Sequence, residues 1–279
     1  MDNILRKLSS EEVAVDLGCG GGSFSYQRYQ CKIIGIDVFL DQKTLYRDGG
    51  RVEYLQSAAT DIPLLDHSVD AVICNHTFEH FAEYRRVLSE IERILKKSGA
   101  LWISIPNGHG FDDALYRRIF SGGGHVNRFT FQRIVEEVQT NTSLRLVQSI
   151  LLYSGFVYLK KPAAELKKHF PRSAKFLFYM PASVNRVCVF SINALTRLID
   201  KFAKSHLSQY GWGFVFARGN LKLEPLESYF NVCWKCGSGN GAQHLKNTGR
   251  VRSRFGLCSY TCPNCETRNL FFRPMDGLS

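Results

Sequence analysis

Apolar positions between Val13 and Ala217 fall into two rhythms, short continuous runs and helical spacings. Val13-Ala14-Val15-Asp16-Leu17 is a run of strand length, closed by the turn Gly18-Cys19-Gly20-Gly21-Gly22. A run that is apolar at successive positions predicts a strand buried on both faces, as in a parallel sheet. Lys32 to Asp37, Val52 to Leu55, Val69 to Cys74 and Ala100 to Ile105 repeat the pattern. Between the last two, Val87, Leu88, Ile91, Ile94 and Leu95 recur at helical spacing, which predicts a helix over Tyr84 to Lys97. Strands alternating with helices predict an α/β fold built on a doubly wound parallel sheet.

After Pro106 the order loosens. A Gly-rich loop (Ser121 to Gly124), a helix from Thr130 to Gln139 and a strand from Leu144 to Tyr153 are expected, then a strand over Gly213 to Ala217. The long interval between those strands contains an amphipathic helix with Leu195, Leu198, Ile199 and Phe202 on one face and Arg197, Lys201 and Lys204 off it. Glu224-Pro225 reads as a linker into a cysteine-rich tail. No internal repeat or low-complexity tract is present.

Charge sharpens this division. The 279 residues hold 36 Lys+Arg against 25 Asp+Glu, a formal +11, with 44% hydrophobic residues to build a core. Residues 160–210 carry 10 Lys/Arg against 2 Asp/Glu, a net +8, and residues 231–279 carry 7 against 2, a net +5. The remainder is therefore −2, and the basicity belongs to two segments suited to anionic partners such as RNA or a phospholipid surface. No run reaches the roughly 18–20 apolar residues of a membrane span, and MDNILRKLSSEE lacks a signal-peptide core, so a cytoplasmic location is expected. Peripheral membrane contact through residues 160–210 fits its combined basic and apolar character.

A Gly-rich turn between a strand and a helix lets backbone N–H groups approach an anionic or carboxylate-bearing ligand. Asp37, 21 positions after Asp16 and at the tip of the second strand, is placed to accept hydrogen bonds from ribose hydroxyls. The spacing Asp16-x-Gly18-x-Gly20-x-Gly22 is tighter than a dinucleotide-binding G-x-G-x-x-G, and its leading acid suits an aminoacyl ammonium.

In order and spacing, VDLGCGGGSF, GIDV, DIPLLDHSVDAVICNHTFEHF and IERILKKSGALWISIPN resemble the class I S-adenosylmethionine-dependent methyltransferases, of the type 11-like kind. The resemblance runs from Glu12 to Asn107, with a weaker echo to Gly219. It implies a Rossmann-like methyltransferase sheet of seven strands, and S-adenosylmethionine as cofactor. It places Asp16, Gly18, Gly20 and Gly22 at the methionine part, Asp37 at the ribose and Asn75 under the sulfonium end. Relatives usually carry an acid at the position of Ala58 for the adenine amino group. Here Asp61 or the Ala59 backbone must take that part, or packing holds the ring. A lid is expected from the Asn107 to Arg128 loop or from the basic insertion.

Methyl transfer needs an acceptor held close, and a base when the nucleophile is a hydroxyl. CNHTFEH lacks both an Asp/Asn-Pro-Pro-aromatic signature and a Pro-Cys nucleophile, so DNA base methylation is not expected. His76, His80 and His125 are the candidate bases. His76-x-x-Glu79-His80 is also similar to the Glu-x-x-Glu-His of metal-dependent O-methyltransferases. On a helix, His76, Glu79 and His80 would share one face and offer a site for a second divalent metal, with His125 as a fourth ligand.

Cys233-x-x-Cys236 and Cys262-x-x-Cys265 form two knuckles separated by 25 residues, the spacing of a structural zinc ribbon, with Cys258 and His244 as spare ligands. Arg250, Arg252 and Arg254 alternate beside Phe255 and Tyr260, a face that would suit RNA, although ribbons also serve as docking platforms.

The expected organisation is a methyltransferase domain over residues 1–225, with a basic helical insertion at 155–210, and a zinc ribbon at 229–273. The expected activity is methyl transfer to a hydroxyl of a small-molecule, glycan or lipid-linked acceptor. The alternatives are an RNA methyltransferase that grips its substrate with ribbon and insertion, and a non-catalytic protein that binds the cofactor or acts through the ribbon.

Overall fold

A computed structural model describes residues 1–40, 52–122, 124–162, 167, 170–224, 230–254 and 257–272. The linker residue Pro225, Gly123 of the glycine loop, Phe255 and the expected ribbon limits 229 and 273 lie outside the described residues. The chain divides into two compact units: residues 1–108, 125–150 and 212–226 form the first, and residues 109–124, 151–211 and 227–279 the second.

Seven strands form one sheet: β1 (Val13–Leu17), β2 (Lys32–Asp37), β3 (Val52–Gln56), β4 (Val69–Asn75), β5 (Leu95–Pro106), β6 (Arg145–Tyr153) and β7 (Gln209–Ala217). Their order is β3-β2-β1-β4-β5-β7-β6, so the sheet reverses direction of growth beside β1. The β1–β2, β1–β4, β2–β3 and β4–β5 pairs are parallel. The described helices are α1 (Asp2–Leu5), α2 (Tyr84–Ile94), α3 (Phe111–Ile119), α4 (Phe131–Asn141), α5 (Phe176–Tyr179), α6 (Ala182–Ala203) and α7 (Ala242–Asn247).

Strand alternation explains the two cores of the first unit. Val15, Leu17, Val72, Cys74, Leu101 and Ile103 enter one cluster with Leu88 and Ile91 of α2 and Ile134 and Val138 of α4. Ala14, Ala71, Ile73, Ala100 and Trp102 point the other way and meet Ile4 and Leu5 of α1. Both sheet faces are therefore covered, which is why these strands read as unbroken apolar runs.

The α2 helix stops three residues short of the expected Lys97. Leu95 turns to an extended backbone and pairs with Val69, so the last apolar residue of the helical pattern becomes the first of β5. Asp70 reinforces the switch by accepting from the Lys96 ammonium at 2.7 Å and from the Val13 backbone at 3.0 Å, which joins the starts of β1, β4 and β5. Thr130 is the N-cap of α4 and accepts from the Arg133 backbone N–H, so that helix begins one residue later than expected.

In the second unit, α6 has its polarity inverted. The stripe Leu195, Leu198, Ile199 and Phe202 faces solvent, whereas Asn185, Asn193, Thr196, Arg197 and Asp200 are buried. The sequence pattern located the helix, but its apolar face does not pack into a core.

A Cβ on Gly213 would collide with the Trp102 ring. Gly213→Ala is therefore expected to destabilise the protein by about 1–3 kcal/mol, as overpacked cores do. Urea unfolding that shows no loss would contradict this packing.

Candidate functional site

The glycine turn is shaped by its backbone. Gly18 has φ +75°, and a side chain there would meet Thr77 Cγ2 at 2.7 Å. Its N–H and that of Cys19 both donate to the Ile36 carbonyl, binding the end of β1 to the end of β2. Gly20 and Gly22 also adopt positive φ. Asp37, at the tip of β2, accepts from the Gly20 N–H at 2.8 Å and the Phe39 N–H at 3.0 Å. The acid thus holds the turn directly.

Asp16 lies beneath the turn, fully buried. It accepts from Ser23 Oγ at 2.8 Å, from the Ser23 N–H at 3.3 Å and from Tyr26 Oη at 2.5 Å. Burial raises its pKa to about 6, opposed by those three donors. Ser23 and Tyr26 were missed in the sequence, although a buried carboxylate requires donors nearby and both follow the turn closely. Asn75 donates to the Ser23 carbonyl and accepts from Ser104 Oγ, so it braces the turn from β4.

A cleft of about 430 Å³ opens beside these strand ends, with Gly18, Asp37, Ala58, Ala59, Thr77 and His80 in its wall. Asp61 is exposed and is not part of that wall. Of the two expected substitutes for the absent acid at position 58, the Ala59 backbone is the one on the cleft. Thr77 was also missed; its hydroxyl donates to the Leu17 carbonyl at 3.0 Å.

Glu79, His80 and His125 bring their ligand atoms within 4.8 Å of one another. His80 and His125 meet edge to face with ring centroids 4.9 Å apart, and His125 Nε2 lies 3.9 Å from Glu79 Oε1. The Glu79 carbonyl accepts from the Val126 and Asn127 N–H groups, which anchors the loop bearing His125. The expected face of His76, Glu79 and His80 does not form. His76 has a left-handed backbone, φ 57°, and residues 78–80 make a 3-10 turn rather than an α-helix. A second metal at His76/Glu79/His80 therefore lacks support. Desolvation of the His76 ring, and His125 next, lower its pKa to about 4.

Residues 15–103 match the methyltransferase-domain family. The chain carries a methyltransferase domain. The Bacillus subtilis protein named uncharacterized methyltransferase YcgJ is 26% identical over 98 residues, covering 32% of this chain and 39% of its own. Thiol S-methyltransferase TMT1B of Rattus norvegicus is 27% identical over 148 residues, covering 47% of this chain and 61% of its own. The chain thus spans less than two thirds of either relative. A solved geranyl diphosphate methyltransferase, in complex with GPP and sinefungin, superposes with a TM-score of 0.51 at 16% identity, covering 77% of this chain and 75% of that one. That likeness extends the methyltransferase fold beyond the matched residues.

Beyond the methyltransferase domain, the four tail cysteines form a second cluster. Cys233 and Cys265 sulfurs lie 3.6 Å apart, and those of Cys236 and Cys262 3.7 Å. Four Zn–S bonds of about 2.3 Å at tetrahedral angles require sulfur separations of about 3.8 Å. The knuckles are built alike: Gly237 N–H donates to the Cys233 carbonyl and Glu266 N–H to that of Cys262, both from positive-φ backbone. Donors on Thr267 lower the Cys265 thiol to about 6, while burial raises that of Cys233 to about 12. Cys258 and His244 stand outside the group. The residues fit a structural zinc ion. Tyr260 is buried in the ribbon core and Arg250 pairs with Glu266 at 3.0 Å, so Arg252 and Arg254 alone remain exposed from the described part of the expected basic-aromatic face.

Metal analysis of the full chain is expected to find about one zinc per chain. Replacing Cys233 and Cys262 by Ser together should lose it and unfold the ribbon. Full metal retention in that variant would contradict the assignment.

Proposed function

We propose that the chain transfers a methyl group from S-adenosylmethionine to a hydroxyl of a small, glycan or lipid-linked acceptor. The observation that carries this reading is the placement of His80 on the same cleft wall as Asp37 and Gly18, with His125 and Glu79 behind it. The rat relative, a thiol S-methyltransferase by name, supports an acceptor other than a nucleic acid.

Each group has a part. The Gly18 to Gly22 turn and Asp16 below it face the methionine end, Asn75 holds the turn in register, and Asp37 accepts from the ribose hydroxyls. Ala59 lines the adenine side, with Asp61 outside the wall. When bound, S-adenosylmethionine would supply an electrophilic methyl group, its carbon–sulfur bond breaking to leave neutral S-adenosylhomocysteine. His80 takes the proton that the acceptor hydroxyl loses as its oxygen forms the new bond to carbon. Positive charge on the paired imidazoles is stabilised by the Glu79 carboxylate.

Cell-extract fractions separated into small molecules, lipids and RNA should accept labelled methyl groups in the small-molecule or lipid fraction. His80→Ala should cut that rate by about a hundredfold or more, as loss of a general base does, with cofactor affinity retained. Labelling confined to RNA would refute the acceptor class, and a full rate in the variant would refute the base.

A further inference from the structure

From the inverted helix of the second unit, we infer that α6 is a docking surface for anionic phospholipid and lies in the plane of a membrane interface. Val184, Val187, Leu195, Leu198, Ile199 and Phe202 share one helical face, with Cys188 and Ser191 between Val187 and Leu195 on it, and all are exposed, Leu195 by 58% and Phe202 by 79%. At 100° per residue they fall within one third of the helix circumference and run for about 27 Å along it. Phe176 and Tyr179 of the preceding turn add exposed aromatic rings, Tyr179 by 70%.

The opposite face explains why the stripe faces outward. Asn185 accepts from the Lys161 N–H and donates to the Leu159 carbonyl. Asn193 donates to the Gly155 carbonyl, and Arg197 to that of Ser154. Asp200 accepts from the Leu207 and Ser208 N–H groups and from Ser205 Oγ. The helix is fixed to the surrounding loops by polar side chains. Turning it to bury the stripe would break every one of these bonds and strand the buried Arg197 and Asp200.

Charge selects the occupant. The exposed Lys160, Lys161, Lys167, Arg172, Arg186, Lys201 and Lys204 belong to this segment, and among its described residues no exposed acid opposes them. Of the helix's own cations Lys201 borders the stripe, and the segment around the helix is basic, a combination that suits an interfacial helix on an anionic leaflet. Among the described residues, no helix is long and apolar enough to cross a membrane. A second copy of this chain would set like charge against like, and RNA would leave the stripe uncovered.

The full chain, without methyl donor, is to be sedimented with vesicles of phosphatidylcholine containing phosphatidylserine and with phosphatidylcholine alone. Binding to the anionic vesicles is expected, falling about tenfold or more on the neutral ones. Leu195→Glu with Phe202→Glu should lower binding by about a hundredfold while leaving thermal unfolding unchanged, because these residues are 58% and 79% exposed. Should that variant unfold, Leu195→Ala with Phe202→Ala gives the same readout. The inference is overturned by wild-type protein that ignores both vesicles, by variants that bind equally well, or by a dimer or RNA complex formed without vesicle binding. Because no methyl donor is used, any of these leaves the transferase reading intact.

Discussion

The site depends on one interaction, the grip of the Asp37 carboxylate on the Gly20 N–H at the point where the sheet changes direction. A parallel sheet that grows both ways from β1 leaves the carboxyl ends of β1 and β4 without a connection crossing between them, and ligands of open α/β sheets bind at such points. The turn after β1 must then be narrow enough to leave room and polar enough to bind. Positive φ at Gly18, Gly20 and Gly22 meets the first need. Asp37 from above and Asp16 from below meet the second, each engaged with hydrogen-bond donors of the turn. Thr77 packs against Gly18, which is why no side chain is tolerated there.

Much of this was legible in the sequence because the forces involved are local or periodic. Runs buried on both faces gave β1, β2 and β4 within a residue of their ends, and the two acids and the glycines between them lie together as their spacing implied. Cys-x-x-Cys pairs gave the sulfur cluster, since each knuckle is a local turn and only their meeting is tertiary. What was not legible depended on contacts remote in sequence. Leu95 leaves its helix to pair with Val69, and Ser23 and Tyr26 acquire a role only because Asp16 is buried beside them. The expected His76 face failed because φ at His76 is left-handed, a conformation no periodicity announces.

The inversion of α6 marks the limit of reading amphipathicity as packing. An apolar stripe states that a helix has two faces, and the buried side is decided by what the neighbouring loops offer. Here they offer carbonyl and N–H groups to Asn185, Asn193, Arg197 and Asp200, so the polar face turns inward. The described Lys and Arg residues of the 160–210 segment accompany an exposed apolar stripe, while Gly18 and Asp37 of the near-neutral part line the cleft.

The most direct test of the central claim is calorimetric titration of the intact chain with S-adenosylhomocysteine, the demethylated product, alongside Asp37→Ala. Binding is predicted for the wild type, weakened by about two to four orders of magnitude in the variant through loss of two charge-assisted hydrogen bonds at about 1.5–3 kcal/mol each, with the fold retained. Equal affinity in the two proteins, or no binding to the wild type, would contradict the account.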